Sequence, residues 1–185
     1  MKWCAPAPPA YCAGSAGCRF KLGETAVEWA DVCVDPNLKD LPYKVELDQW
    51  GQIVMSPASV HHILLQNAIA DLLKARTANG KTLLELPVQT AENVKVPDVA
   101  WLSPQRYEII KNSPVCPIAP EICVEVLSPS NTLAQMMHKK ALFLAAGAIE
   151  FWLCDDQGRL AFYDASGTIG HSSLVPGMQC VIEID

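Results

Sequence analysis

One carboxylate, Glu125, lies within the apolar run Ile122 to Leu127, and a second, Asp98, follows Pro97 at the head of the run Val99 to Leu102. A short run rich in β-branched residues folds as a strand buried in a sheet. A charge carried into such a place is costly unless it is paired or binds a metal. Alternate side chains of a strand share a face. Glu121, Cys123, Glu125 and Leu127 therefore point one way, and Ile122, Val124 and Val126 the other. The second set suits a core, so Glu125 sits on a face that needs a reason to hold a carboxylate. A buried salt bridge is one reason. A divalent-metal site shared with Asp98 on a neighbouring strand is another. Asp98 has an ordinary alternative too, a local hydrogen bond in a Pro-Asp turn.

The rest of the composition narrows the class. A chain of 185 residues is expected to form one domain with a sizeable core. Half of it is hydrophobic and 18% is charged, as in soluble globular proteins. No apolar run approaches the roughly 20 residues that span a bilayer, so no membrane partner is expected. The formal net charge of -6 does not advertise a broad nucleic-acid surface. It leaves room for a local basic rim around an acidic site. The 8 cysteines lack the close pairs of zinc sites, and Cys123 and Cys154 fall inside apolar runs, where the thiol acts as a small hydrophobe. No secretory signal follows Met1, so a reducing cytoplasm is the expected location. No nucleophile triad, phosphate loop or His-Glu-x-x-His motif is present.

Residues 1–35, with Pro6, Pro8, Pro9, Gly14, Gly17 and four cysteines, read as an N-terminal extension, poorly ordered or wrapped on the domain. A short helix over Thr25 to Val32 fits there. Residues 36–185 read as the domain proper. Tyr43–Leu47 and Gln52–Met55 predict a hairpin. Ser59 is a cap for a helix over Val60 to Arg76, with an apolar stripe through Ile63, Leu64, Ala68, Ile69, Leu72 and Leu73. Thr82–Thr90, Val96–Leu102 and Glu121–Leu127 predict strands, with a short helix over Pro104–Ile110 between the last two. Ser130 or Asn131 caps a helix to about Ala146, stopped by Gly147. Ile149–Cys154, Arg159–Tyr163 and Cys180–Ile184 predict late strands. The order gives a mixed α/β fold with a central β-sheet flanked by helices.

Several other polar residues stand near this pattern. On the helix after Ser130, Lys140 falls within the stripe Leu133, Met136, Met137, Phe143 and Leu144, and Lys139 lies at its margin. Both are compatible with solvated surface, and periodicity does not choose between them. His62 and Gln66 are four apart and share a helix face, which also suits a surface pair. Glu46 alternates with Val45 and Leu47 and so faces away from both.

With these residues in view, the chain resembles the Uma-type family of restriction endonucleases, formerly a domain of unknown function, within the PD-(D/E)XK nuclease superfamily. The resemblance runs from about Asp35 to the C-terminus. It is carried by DLPYKVELDQWGQIVMSPASVHH, VKVPDVAW, APEICVEVLSPSNT and KKALFLAAGAIEFWL, the last two in order and spacing being the most specific. It implies a restriction-endonuclease-like core with a metal site at the sheet. Asp98 matches the motif Asp and Glu125 the motif carboxylate. The lysine normally two residues further on is replaced here by Leu127, as elsewhere in the family, and alignment on SPSN and AAG assigns its part to Lys139. Phe143 stands where the family usually has Tyr, and Gln135 and His138 where acidic residues are commoner.

The resemblance further implies Mg²⁺ or Mn²⁺ held by Asp98, Glu125 and the Val126 carbonyl. Lys139 would orient or help deprotonate the attacking water. Glu46 would serve a second metal or Lys139, and His62 and Gln66 would contact a phosphate. The expected reaction is hydrolysis of phosphodiester bonds in DNA. Two other readings stay open: a non-catalytic nuclease-fold module binding nucleic acid or protein, and a metal-dependent hydrolase with a non-nucleic substrate. The hairpin and late strands offer edges through which a homodimer could pair.

Overall fold

Strand β8, Ile122–Val126, is buried at all five positions and organises everything around it. The computed structural model describes residues 19–20, 27–38 and 41–184. Its strands are β1 (Arg19–Phe20), β2 (Tyr43–Leu47), β3 (Ile53–Pro57), β4 (Lys81–Leu84), β5 (Val88–Thr90), β6 (Asn93–Lys95), β7 (Val99–Leu102), β8, β9 (Glu150–Cys154), β10 (Leu160–Asp164) and β11 (Gly167–Ile169). Its helices are α1 (Trp29–Val34), α2 (Val60–Arg76), α3 (Pro104–Ile110) and α4 (Leu133–Ala145). The main sheet has six strands in the order β11-β10-β9-β8-β7-β4. Only β8 and β9 run parallel. A parallel neighbour needs a crossover, and α4 supplies it. The fold is thus a mixed α/β sheet flanked by helices.

The two faces of β8 explain its burial. Ile122, Val124 and Val126 pack with Leu65, Ile69 and Leu73 of α2. Cys123 packs with Met136 and Phe143 of α4 on the other side. Glu125, two residues after Cys123, therefore projects toward α4. Val99 pairs with Val124 across the antiparallel β7–β8 ladder. One step further along that register, Asp98 lies opposite Glu125. The hairpin β2–β3 forms a separate three-stranded sheet with β1, in the order β1-β3-β2. Its underside, through Leu47 and Ile53, packs on Val32, Val94 and Val96. Trp152 of β9 is fully buried and meets Phe162 edge-on at 5.1 Å, a pairing worth about 0.5–1.5 kcal/mol beyond area burial.

Several elements depart from the sequence-based expectation. The segment Thr82–Thr90 is two strands in two sheets, because Glu85 adopts a positive φ of 51° and Pro87 has no N–H to continue a ladder. The strand expected over Val96–Leu102 is shortened at its start: after Pro97 and Asp98, β7 begins at Val99, and β6 ends before Val96. The cap of α4 is Thr132, not Ser130 or Asn131. Thr132 and Gln135 form a reciprocal capping box, while Asn131 accepts from the Ser128 N–H at 2.9 Å. Leu133 is exposed, so the buried stripe of α4 runs through Met136, Leu142 and Phe143 instead.

Cys180–Ile184 makes only a bridge, Arg159 to Val181, whereas β11 was not expected. Gly158 allows this approach: at φ 76° its backbone faces the Ile182 carbonyl, which a Cβ would meet at 2.3 Å. The N-terminal helix is Trp29–Val34 rather than Thr25–Val32, and Thr25 and Ala26 lie outside the described residues, as do residues 1–18 with their three cysteines. Among the described residues no helix is long and apolar enough to cross a membrane.

Candidate active site

Asp98 and Glu125 are each about 1% exposed, at the end of the main sheet that Lys44 of the hairpin reaches. Two carboxylates so deep require cationic partners, and two lysines provide them. Lys139 of α4 donates to Glu125 Oε1 at 2.9 Å and to Glu46 Oε1 at 2.7 Å. Lys44 of β2 donates to Asp98 Oδ1 at 2.6 Å and to Glu125 Oε2 at 3.2 Å. The remaining Asp98 oxygen, Oδ2, accepts the Val126 N–H at 2.7 Å. Glu46 is buried as well and accepts the Val96 N–H at 2.8 Å. Charges of alternating sign thus run from Lys44 through Asp98 and Glu125 to Lys139 and Glu46.

Helix α2 closes the site from the other side. Ser59 caps it by accepting the His62 N–H, which starts the helix so that His62 and Gln66 face inward. Gln66 Nε2 donates to the Asp98 carbonyl at 2.9 Å. His62 Nε2 lies 3.4 Å from Asp98 Oδ1, and its buried Nδ1 has no hydrogen-bond partner among the described residues. His62 and Gln66 are therefore not a surface pair. The apolar stripe expected on α2 is displaced for the same reason. Its buried face is His62, Leu65, Gln66, Ile69, Ala70 and Leu73, whereas Ile63 and Leu64 are half exposed.

The electrostatics differ between the two central carboxylates. Burial acts to raise the pKa of Asp98, but the Lys44 ammonium and His62 outweigh it and hold the group well below the usual range. For Glu125 burial wins over Lys139 and Lys44, and its pKa is pushed up to about 6. Glu46 stays below its ordinary value because Lys139 and Lys44 outweigh burial. Burial acts to lower the two lysines, but the surrounding carboxylates raise both.

Asp98, Glu125, Lys139, Glu46, His62 and Gln66 therefore lie in one connected network, which Val126 joins through its N–H. Lys140 does not, since its Nζ lies over the Tyr163 ring at 4.8 Å from the centroid. Lys44 is the member the sequence analysis missed. Two signals point to it: it shares a strand face with Glu46, two residues on, and three buried carboxylates need more than one cation.

No group of three or more His, Cys, Asp or Glu among the described residues is arranged to hold a metal ion. A smaller donor set is present. Asp98 Oδ1 and Glu125 Oε2 converge on a single cationic centre, the Lys44 ammonium. Hard divalent cations such as Mg²⁺ bind through one or two carboxylates and keep several waters. The residues fit such an ion if the ammonium gives way.

A mixed α/β sheet flanked by helices thus gathers an Asp, a Glu and a helix lysine at one end. The solved structures agree on the fold: one described as "a putative nuclease belonging to DUF820 from Anabaena variabilis" matches with a TM-score of 0.65 and 17% identity, covering 84% of this chain and 94% of that one. No curated protein matches in sequence. The chain belongs to the Uma2 family, described as "Putative restriction endonuclease", whose model matches residues 35–167.

Proposed function

We propose that this protein is a metal-dependent endonuclease that hydrolyses phosphodiester bonds in DNA, with Asp98 and Glu125 as ligands for Mg²⁺ or Mn²⁺ and Lys139 as the third catalytic residue. The observation that carries this reading is the 2.9 Å contact between Lys139 and Glu125, which brings a helix lysine to the carboxylate beside Asp98. A bound divalent ion supplies charge neutralisation at the phosphate and a more acidic water. Asp98, aimed by the Val126 N–H, and Glu125 hold it, with the Val126 carbonyl as a third oxygen. Flanked by two carboxylates, Lys139 stays an ammonium, so its part is to orient the attacking water and stabilise developing negative charge. Glu46 positions Lys139. Gln66 positions Asp98 through its carbonyl, and His62 is placed to meet a phosphate oxygen. The division into an extension, residues 1–35, and a nuclease domain, residues 36–185, belongs to the same proposal.

The competing reading is a nuclease-fold module without catalysis. One observation favours it: all four oxygens of Asp98 and Glu125 already accept hydrogen bonds from this chain. Cleavage assays separate the two. Wild-type protein with Mn²⁺ or Mg²⁺ should cut plasmid and linear duplex DNA. Asp98→Asn, which keeps the shape and one acceptor oxygen, enough for Lys44 or the Val126 N–H but not both, should abolish cutting while retaining a cooperative melt. Full activity in that variant would sink the assignment, and an inert wild type that binds DNA would favour the module.

A further inference from the structure

Lys44 stands where the proposed function places a cation. Its Nζ lies 2.6 Å from Asp98 Oδ1 and 3.2 Å from Glu125 Oε2. The other oxygen of each carboxylate is committed elsewhere, to the Val126 N–H and to Lys139. The two oxygens left to face a metal are therefore the two that hold the ammonium. A divalent ion coordinated at about 2.0–2.6 Å cannot share both with it.

Charge counting points the same way. Glu46, Asp98 and Glu125 carry three negative charges against the two positive charges of Lys44 and Lys139, a net of -1. Adding a divalent ion while Lys44 remains would give +1. Exchanging Lys44 for that ion gives zero. Like charges crowded into one buried site are unfavourable, so exchange is the arrangement electrostatics favours.

The two lysines differ in their freedom to leave. Lys139 rises from the middle of α4 and is held between Glu46 and Glu125. Lys44 hangs from β2, an edge strand of the hairpin sheet, next to half-exposed Tyr43. Its side chain is 12% exposed and that of Lys139 15%, so what separates the two is the element each hangs from, not exposure. A lysine is a flexible stem with a point charge and can swing without moving the backbone.

We propose that Lys44 is a resident counter-cation that occupies the metal position, and that a divalent ion binds only by displacing its ammonium toward solvent. Metal loading is then a cation exchange, and the freed ammonium stands at the mouth of the site, within reach of an incoming anion. This inference rests on the metal-dependent reading above.

The test uses the full chain and Mn²⁺ alone, followed by calorimetry or by the loss of the free-ion paramagnetic resonance signal. Lys44→Met removes the charge and keeps the stem. That variant should bind Mn²⁺ at least about tenfold more tightly than wild type, about 1.4 kcal/mol. A second measurement needs no variant: reductive methylation of wild type, read by mass spectrometry, should modify Lys44 several-fold faster at saturating Mn²⁺, with Lys139 little changed. Equal or weaker binding by Lys44→Met, or Lys44 modification unmoved by Mn²⁺ in a wild type that binds it, overturns the displacement and leaves the metal site standing. Absence of Mn²⁺ binding in both proteins overturns the metal reading and this inference together.

Discussion

Gln66 Nε2 donates to the main-chain carbonyl of Asp98 at 2.9 Å, joining α2 to the irregular step before β7. Pro97 leaves that step without a ladder hydrogen bond of its own, and a weaker contact from the Glu85 N–H, at 3.3 Å, is the other bond to the same carbonyl. In the proposed function Gln66 acts on the site through Asp98. Replacing it with Leu should cost about 0.5–1.5 kcal/mol, which lowers the melting temperature by about 2–4 °C per kcal/mol in a chain of this size. Cleavage should fall further than that, about tenfold in kcat with KM little changed. A change confined to KM would instead assign Gln66 to substrate binding.

The pair Glu46 and Lys139, 93 positions apart, ties the hairpin to α4. Both side chains are at least four-fifths buried, so the contact is poorly screened by solvent. Each single change, Glu46→Gln or Lys139→Met, leaves the other charge short of a partner. In a double-mutant cycle by urea unfolding, the double variant should therefore be less destabilised than the sum of the singles, by about 1–3 kcal/mol. Strict additivity would mean that the contact contributes nothing net.

The sequence made β8 and α4 legible because their signals are local. Apolar residues broken by one carboxylate admit little besides a buried strand, and the α4 pattern ends at Gly147, whose φ of 105° stops the helix. The break between β4 and β5 was hidden because Leu86-Pro87 sits within one continuous β-prone stretch. The buried face of α2 was misread because His62 and Gln66 count as polar, and their partner, Asp98, comes from beyond any local window. Lys139 was chosen over Lys140 by resemblance, since the two differ by only one helix position. Lys44 is harder to read because its one signal within β2 is the face it shares with Glu46, while the two carboxylates it meets lie more than 50 residues away.

The cysteines offer a check on packing that is independent of the site. Burial pushes the Cys116 thiol up to about 11 and Cys154 up to about 12, and it also raises Cys123 well above its usual range, with Glu125 adding to it. Cys33 and Cys180 are exposed. The thiolate is the reactive species. Alkylation of the native protein at pH 8 should therefore mark Cys33 and Cys180 within minutes, and reach Cys116, Cys123 and Cys154 only in denaturant. Peptide mass spectrometry reads this directly. Native labelling of Cys154 at the rate of Cys180 would contradict the packing of β9 against α2.

Glu150 is fully buried, and among the described residues the groups that bond it are neutral donors. Its Oε2 accepts from Trp152 Nε1 at 2.8 Å and Ser172 Oγ at 2.7 Å. Its Oε1 accepts from the Ser173 N–H and hydroxyl at 2.7 and 2.6 Å and from the Leu174 N–H at 3.1 Å. Burial acts to raise its pKa, but the bonds from Ser173, Ser172 and Trp152 outweigh it and hold the group below its ordinary value. A depressed folded-state pKa stabilises the protein above the unfolded value, about 4.3, and that contribution is lost as pH falls through the folded value. Glu150→Gln turns an amide against these donors and should cost about 2 kcal/mol at pH 7. The gap to wild type, measured by urea midpoints from pH 7 to pH 3, should narrow below about pH 4.3 as the wild-type carboxylate protonates. A gap that stays constant over that range would show that the ionised form is not what anchors the segment 172–174 to β9.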